Sequence, residues 1–193
     1  MKFFIYLIIF CNFFCSAIAA NANLKHKKAY IITGLESTGS VFISQVIAYV
    51  VGNDVNYKQW SGYGLNGQID DDIVVLHRSQ PYGRLNFLTR EDAHDLFPNH
   101  ELYFIICTRD LTIESLSIKR RFNRSEKEIS QIIRPTAKKI LQDIIQNEKY
   151  LIWNYETQQF LKETYFQILY DFLEVESDFI PPNLYDANKK YIK

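Results

Sequence analysis

Two short segments carry residue types that handle anions. The first, Gly34-Leu35-Glu36-Ser37-Thr38-Gly39-Ser40, follows an apolar run ending at Thr33 and precedes another that begins at Val41. Two glycines bounding a loop between strand and helix let successive backbone N–H groups converge on one point, where the helix dipole favours negative charge. Ser37, Thr38, Gly39 and Ser40 are small enough to let a phosphate reach the main chain, and the hydroxyls add donors. The second segment begins at Arg109, directly after the run Leu102–Thr108, and Ser117 stands eight positions further on. That spacing is about two helical turns. A guanidinium fork and a helix hydroxyl make a clamp for a second phosphate, and Asp110 is placed to cap the helix between them.

The loop departs from the kinase pattern at two positions. A Walker-type loop continues after its second glycine with Lys and then Ser or Thr, the first reaching the terminal phosphates and the second holding magnesium. Ser40 and Val41 stand there instead. Phosphoryl transfer leans on both missing groups, so an ordinary ATPase or nucleotide kinase is disfavoured. A cradle for a phosphate that needs no metal is what remains.

Acid–base and electrostatic roles fall to three more residues. His77, at the end of the run Ile73–Leu76, is the first candidate for a general base that takes a hydroxyl proton. Glu36, inside the loop, is the alternative base. Arg78 is placed to neutralise charge building on a transferred group or its leaving phosphate. Lys119, Arg120, Arg121 and Arg124 form either a solvated basic face or a further grip on an anionic nucleotide. His26, His94 and His100 match no metal-ligand spacing, and no metal site is assigned. Cys107 lies inside an apolar run and reads as a small buried hydrophobe.

The elements that must position these groups are legible as apolar runs. Strands are expected at 29–33, 73–76, 102–108 and 150–153, with helices at 41–51, 111–122, 126–148 (locally disturbed by Pro135) and 158–173. The 53–72 stretch, with Tyr57, Trp60 and Tyr63, and the 81–100 stretch read as segments that set acceptor identity; the tail from Ile180 reads as irregular. Continuous apolar strands alternating with helices indicate a three-layer α/β sandwich around a central parallel sheet. Ligands of such sheets bind outside the carboxyl ends of the strands. Those ends are Gly34–Ser40, His77–Ser79, Arg109–Asp110 and Asn154–Glu156.

Composition agrees with one folded domain over 21–193. The chain has 193 residues, 47% of them hydrophobic, and 22 Lys+Arg balance 22 Asp+Glu. Zero net charge excludes a polybasic chain that coats nucleic acid regardless of sequence. Residues 1–20 have one Lys, an apolar stretch from Phe3 to Phe14 and an Ala-x-Ala ending at Ala19. This reads as a secretory signal, with an uncleaved anchor as the rival and membrane attachment only in that case. Cys11 and Cys15 leave with a cleaved signal, which would leave Cys107 without an intrachain disulfide partner.

With these segments in view, the chain resembles the P-loop sulfotransferase superfamily over roughly 29–173. Thr38-Gly39-Ser40 is similar to the Ser-Gly-Thr core of that family's 5′-phosphosulfate loop, and Arg109 with Ser117 to its 3′-phosphate clamp. Leu76-His77-Arg78-Ser79-Gln80-Pro81-Tyr82-Gly83 and Tyr155-Glu156-Thr157 are similar to two segments of a sulfotransferase-like subgroup. The resemblance implies a P-loop NTPase-like fold and metal-free use of 3′-phosphoadenosine-5′-phosphosulfate (PAPS, with PAP as product). It implies a hydroxyl acceptor, glycans included. Ser37, Thr38, Gly39, Ser40, Arg109 and Ser117 would then bind the nucleotide. Many family members carry Lys or Arg in or just after the loop, where this chain has Ser37 and Val41. Arg78 is one substitute for that cation; a noncatalytic nucleotide-binding protein is the alternative reading.

Overall fold

The computed structural model describes residues 27–52, 72–182 and 184–191. The expected signal at 1–20 and the aromatic loop around Trp60 lie outside those residues. Four strands, β1 (Lys28–Gly34), β2 (Ile73–His77), β3 (Glu101–Thr108) and β4 (Lys149–Asn154), form one sheet in the order β2-β1-β3-β4, parallel throughout. Between and after them run α1 (Ser40–Val50), α2 (Arg90–Leu96), α3 (Leu111–Phe122), α4 (Glu126–Glu128), α5 (Arg134–Asn147), α6 (Tyr155–Leu161) and α7 (Glu163–Leu173). A 3₁₀ turn, Ala187–Lys190, follows.

Alternate strand residues point to opposite faces, and each face carries its own core. Tyr30, Ile32, Tyr103 and Ile105 pack with Ile43, Val46 and Ile47 of α1 and with Phe166, Leu169 and Tyr170 of α7. Ala29, Ile31, Phe104 and Ile106 pack with Ala93 of α2, Phe97 just beyond it, and Ile144 of α5. The chain is thus a three-layer α/β sandwich around a central parallel sheet. Trp153 of β4 stacks on Tyr165 with ring centroids 4.1 Å apart, tying the edge strand to α7. Burying one such large side chain stabilises the fold by about 1.5–3 kcal/mol.

Two expectations need correction, and one stretch holds an element that the sequence reading did not assign. The 81–100 stretch contains α2, started by a reciprocal capping box in which Thr89 and Asp92 satisfy each other's backbone N–H. The expected 158–173 helix begins earlier, at Tyr155 under an Asn154 cap, and breaks at Lys162, where φ is 48°. The tail from Ile180 is irregular as expected among its described residues, except for the 3₁₀ turn Ala187–Lys190. As expected, the 126–148 helix is disturbed near Pro135: a π segment, Ile129–Ile133, links α4 to α5, because proline offers no N–H to the preceding turn.

Strand order fixes where a ligand can go. From β1 the chain crosses first to β2 on one side and then to β3 on the other. The carboxyl ends of β1 and β3 therefore flank the topological switch point, where neighbouring connections diverge and leave a crevice.

Candidate functional site

The loop after β1 starts from a glycine that the sheet requires. Gly34 pairs with Cys107 in register, has φ 128°, and a Cβ there would sit 2.1 Å from the Cys107 carbonyl oxygen. Thr38 Oγ1 donates to the Leu35 carbonyl at 2.9 Å, closing the turn. Gly39 begins α1 in the left-handed region, with φ 89°, and no side chain caps it; the first turn holds no acidic residue. The helix start is thus open to an anion on its positive end.

Glu36 is not the exposed loop carboxylate a base would be. It is 3% exposed. Its two oxygens accept from Arg124 Nε at 3.0 Å and Nη2 at 3.3 Å, and Arg124 also holds Glu128 at 2.7 Å. Burial lifts the Glu36 carboxyl above its ordinary range, with Arg124 pulling it back. Both oxygens are engaged by this pair, so Glu36 anchors the loop to the region after α3 while it borders the larger of the two cavities on this rim.

Arg109 leaves β3 and turns back over the loop. It is 9% exposed. Its Nη1 donates to the Ser37 carbonyl at 2.9 Å, its Nε to Asn188 Oδ1 at 2.8 Å, and its Nη2 to the same amide oxygen. The Tyr155 ring lies 4.6 Å from the guanidinium carbon and the Tyr191 ring 5.7 Å away. Among the described residues no carboxylate comes within ion-pair distance of it. Ser117, buried on α3, accepts from the Tyr191 hydroxyl at 3.0 Å. Asp110 accepts from the Thr112 and Ile113 amides and caps α3, as its position predicts.

His77 sits at the end of β2, where its Nε2 meets Ser40 Oγ at 2.8 Å. Arg78 Nη1 donates to the His77 carbonyl at 2.8 Å, and its guanidinium lies 5.5 Å from the Tyr82 ring. Arg121, exposed on the last turn of α3, reaches Ser37 Oγ at 3.4 Å.

Two cavities open on this rim, divided by Ser37, Gly39 and Arg121, which line both. One, about 250 Å³, lies among Arg109, Ser117, Phe42, Tyr155 and the tail residues Leu184 to Lys190. The other, about 730 Å³, is lined by Ser40, His77, Arg78, Tyr82 and Phe122. The fold thus brings Ser37, Gly39, Arg109 and Ser117 to one cavity and Glu36, Ser40, His77 and Arg78 to the other. Thr38 faces the loop's own turn.

The sequence reading did not pick out Tyr155, Asn188 and Tyr191 as site residues. Tyr155 was in view as part of a segment at a strand's carboxyl end, and that position was its signal. Asn188 and Tyr191 had none, since they reach the clamp across contacts 79 and 74 residues apart in sequence. Cys107 is buried, and burial pushes its thiol far up, so it is inert as a nucleophile. Among the described residues no group of three His, Cys, Asp or Glu is placed to hold a metal ion.

No family model matches the chain, and no curated protein is similar to it. Among solved structures, one match is an unliganded sugar kinase from Janibacter sp., with 11% identity over 77% of this chain and 95% of that one, at a TM-score of 0.42. So loose a superposition carries no inference about what this chain does.

Proposed function

We propose that this chain is a PAPS-dependent sulfotransferase-like protein that transfers sulfate to a hydroxyl acceptor, glycans included, within the secretory pathway that residues 1–20 point to. The observation that carries the proposal is the setting of Arg109. A buried guanidinium whose hydrogen bonds all go to neutral oxygens, with the Glu114 carboxyl felt only beyond ion-pair distance, has room for a direct counter-charge, which an anionic ligand supplies at low desolvation cost. It stands beside an uncapped helix start, so two anionic groups of one nucleotide would be gripped from two directions.

The two cavities divide the labour. In the smaller, Arg109 and Ser117 take the 3′-phosphate while Phe42 and Tyr185 offer apolar walls to a base. Gly39 and Ser40 hold the 5′-phosphosulfate at the divide, its sulfate aimed at the larger cavity. There the acceptor oxygen bonds to sulfur as the bond from sulfur to the phosphate oxygen breaks, and PAP leaves with that electron pair. His77 Nε2 receives the acceptor proton. A base needs that nitrogen unprotonated, and in this tautomer it accepts from Ser40 at 2.8 Å, so the Ser40 hydroxyl must turn onto the phosphosulfate to free it. Donor binding and base release are thereby linked. Arg121 and Arg78 face the reacting group and stand in for the cation that Val41 does not provide.

A noncatalytic nucleotide-binding role is the second reading, favoured by Val41 in the family's cation position. Thermal denaturation tests the first step of both. PAP at a hundred times its Kd should stabilise the chain by about 2.7 kcal/mol, a rise of roughly 5–10 °C, whereas magnesium–ATP should give little. An equal rise with magnesium–ATP, or none with PAP, overturns the assignment. Binding without sulfate transfer to any of a broad panel of hydroxyl acceptors selects the noncatalytic reading.

A further inference from the structure

The C-terminal turn lies on both members of the phosphate clamp at once. Asn188 places its amide oxygen on two nitrogens of Arg109, and Tyr191 donates its hydroxyl to Ser117. The carboxamide is oriented for this: its Nδ2 donates to Glu156 Oε1 at 2.9 Å, which leaves the oxygen turned toward the guanidinium. The turn itself is pinned where the Ala187 amide donates to the Tyr155 hydroxyl at 2.7 Å and Asp186 caps Asn188. An amide oxygen on a guanidinium fork and a hydroxyl on a serine are the contacts that a phosphate would make there.

The cavity is also small for its expected occupant. Its volume is about 250 Å³, below the roughly 300–1,000 Å³ of ordinary ligand clefts, and Leu184, Tyr185, Ala187 and Lys190 form one wall of it. Asn188 is a neutral group standing where a dianion would add ion pairing to the hydrogen bonds of the guanidinium fork.

We infer that residues 184–191 are a built-in occupant of the 3′-phosphate subsite, with Asn188 substituting for the phosphate on Arg109 and Tyr191 for it on Ser117. The nucleotide binds by displacing them. The apparent affinity for a 3′-phosphorylated nucleotide is then lowered by the fraction of time the strap is closed. This inference rests on the nucleotide-site reading above.

The test is calorimetric titration of the full chain with PAP, for wild type, Asn188→Ala and Asn188→Asp. Removing the carboxamide should tighten PAP by about tenfold, as expected for a strap closed nine-tenths of the time. The aspartate, which pairs with Arg109 by charge, should weaken it by a similar factor. Hydrogen exchange gives an independent reading: amides of 187–190 should exchange faster with PAP bound. Equal affinities in all three proteins, weaker binding by Asn188→Ala, or slower exchange with PAP would overturn the strap while leaving the nucleotide site standing. No binding of PAP to wild type or to Asn188→Ala overturns the site reading, and the strap with it.

Discussion

The two ends of the sheet treat charge in opposite ways. At the amino end, Lys28 meets Glu174 at 2.6 Å, Lys149 meets Glu101 at 2.5 Å, and the Tyr103 hydroxyl donates to Glu174 at 3.0 Å. At the carboxyl end, Arg109 is held by a carbonyl and an amide, Arg78 by a carbonyl and a ring, and Arg121 by a hydroxyl. Arg124 and Arg134 there are matched by carboxylates, the first to Glu36 and Glu128, where it ties down the loop, and the second to Glu114. Charges at the structural end neutralise each other, whereas the three arginines that line the cavities, Arg109, Arg78 and Arg121, have neutral hydrogen-bond partners. That asymmetry is what a fold needs if one rim is to receive an anion.

Substitutions at each end sharpen the contrast, and the largest effects belong to the carboxyl end. His77→Ala should lower the rate of sulfate transfer by about 10²–10⁴-fold, the usual worth of a general base, while PAP affinity stays within about twofold in the same titration. Arg124→Ala leaves Glu36 buried without its partner and should cost about 3–5 kcal/mol in urea unfolding. The loss should shrink as pH falls and Glu36 takes up a proton.

Glu114 gives a smaller, pH-dependent signal. It is buried 3.3 Å from Arg134, and burial pushes its carboxyl up to about 7, with Arg134 pulling it back. Because this folded-state value lies above the unfolded one, the folded chain holds the extra proton. The associated stability is present below the ordinary carboxylate range and is lost as pH rises through about 7. Glu114→Gln does not titrate, so its melting temperature relative to wild type should climb by a few degrees between about pH 5 and about pH 8. A difference that stays flat would contradict the burial assigned to Glu114. Least of all, Lys28→Ala should change stability by about 0–1 kcal/mol, since its partner Glu174 is exposed. It should leave PAP binding untouched.

How much of this was readable beforehand follows from the range of the interactions. The strands were legible because a parallel sheet covered on both faces writes itself as apolar runs. The loop was legible from two glycines, one of them forced by the Cys107 carbonyl. Arg109 and Ser117 could be paired because α3 sets their separation locally. Helix α2 announces itself through Thr89 and Asp92, a cap that local sequence contains and that the polar look of the segment obscured. The break at Lys162 has no glycine or proline to mark it. The ion pair that ties Glu36 to Arg124 spans 88 residues, and the turn on the clamp has no apolar periodicity. Such contacts are decided by the fold as a whole.

The central claim is that Arg109 and the start of α1 hold two anionic groups of one nucleotide. Isothermal titration of wild type and Arg109→Ala with PAP tests it most directly. Saturable binding by wild type, weakened at least about thirtyfold in the variant, is the predicted result, in line with the roughly 2–5 kcal/mol lost when one partner of a buried charge pair is truncated. Undiminished binding by Arg109→Ala in a folded protein would contradict it.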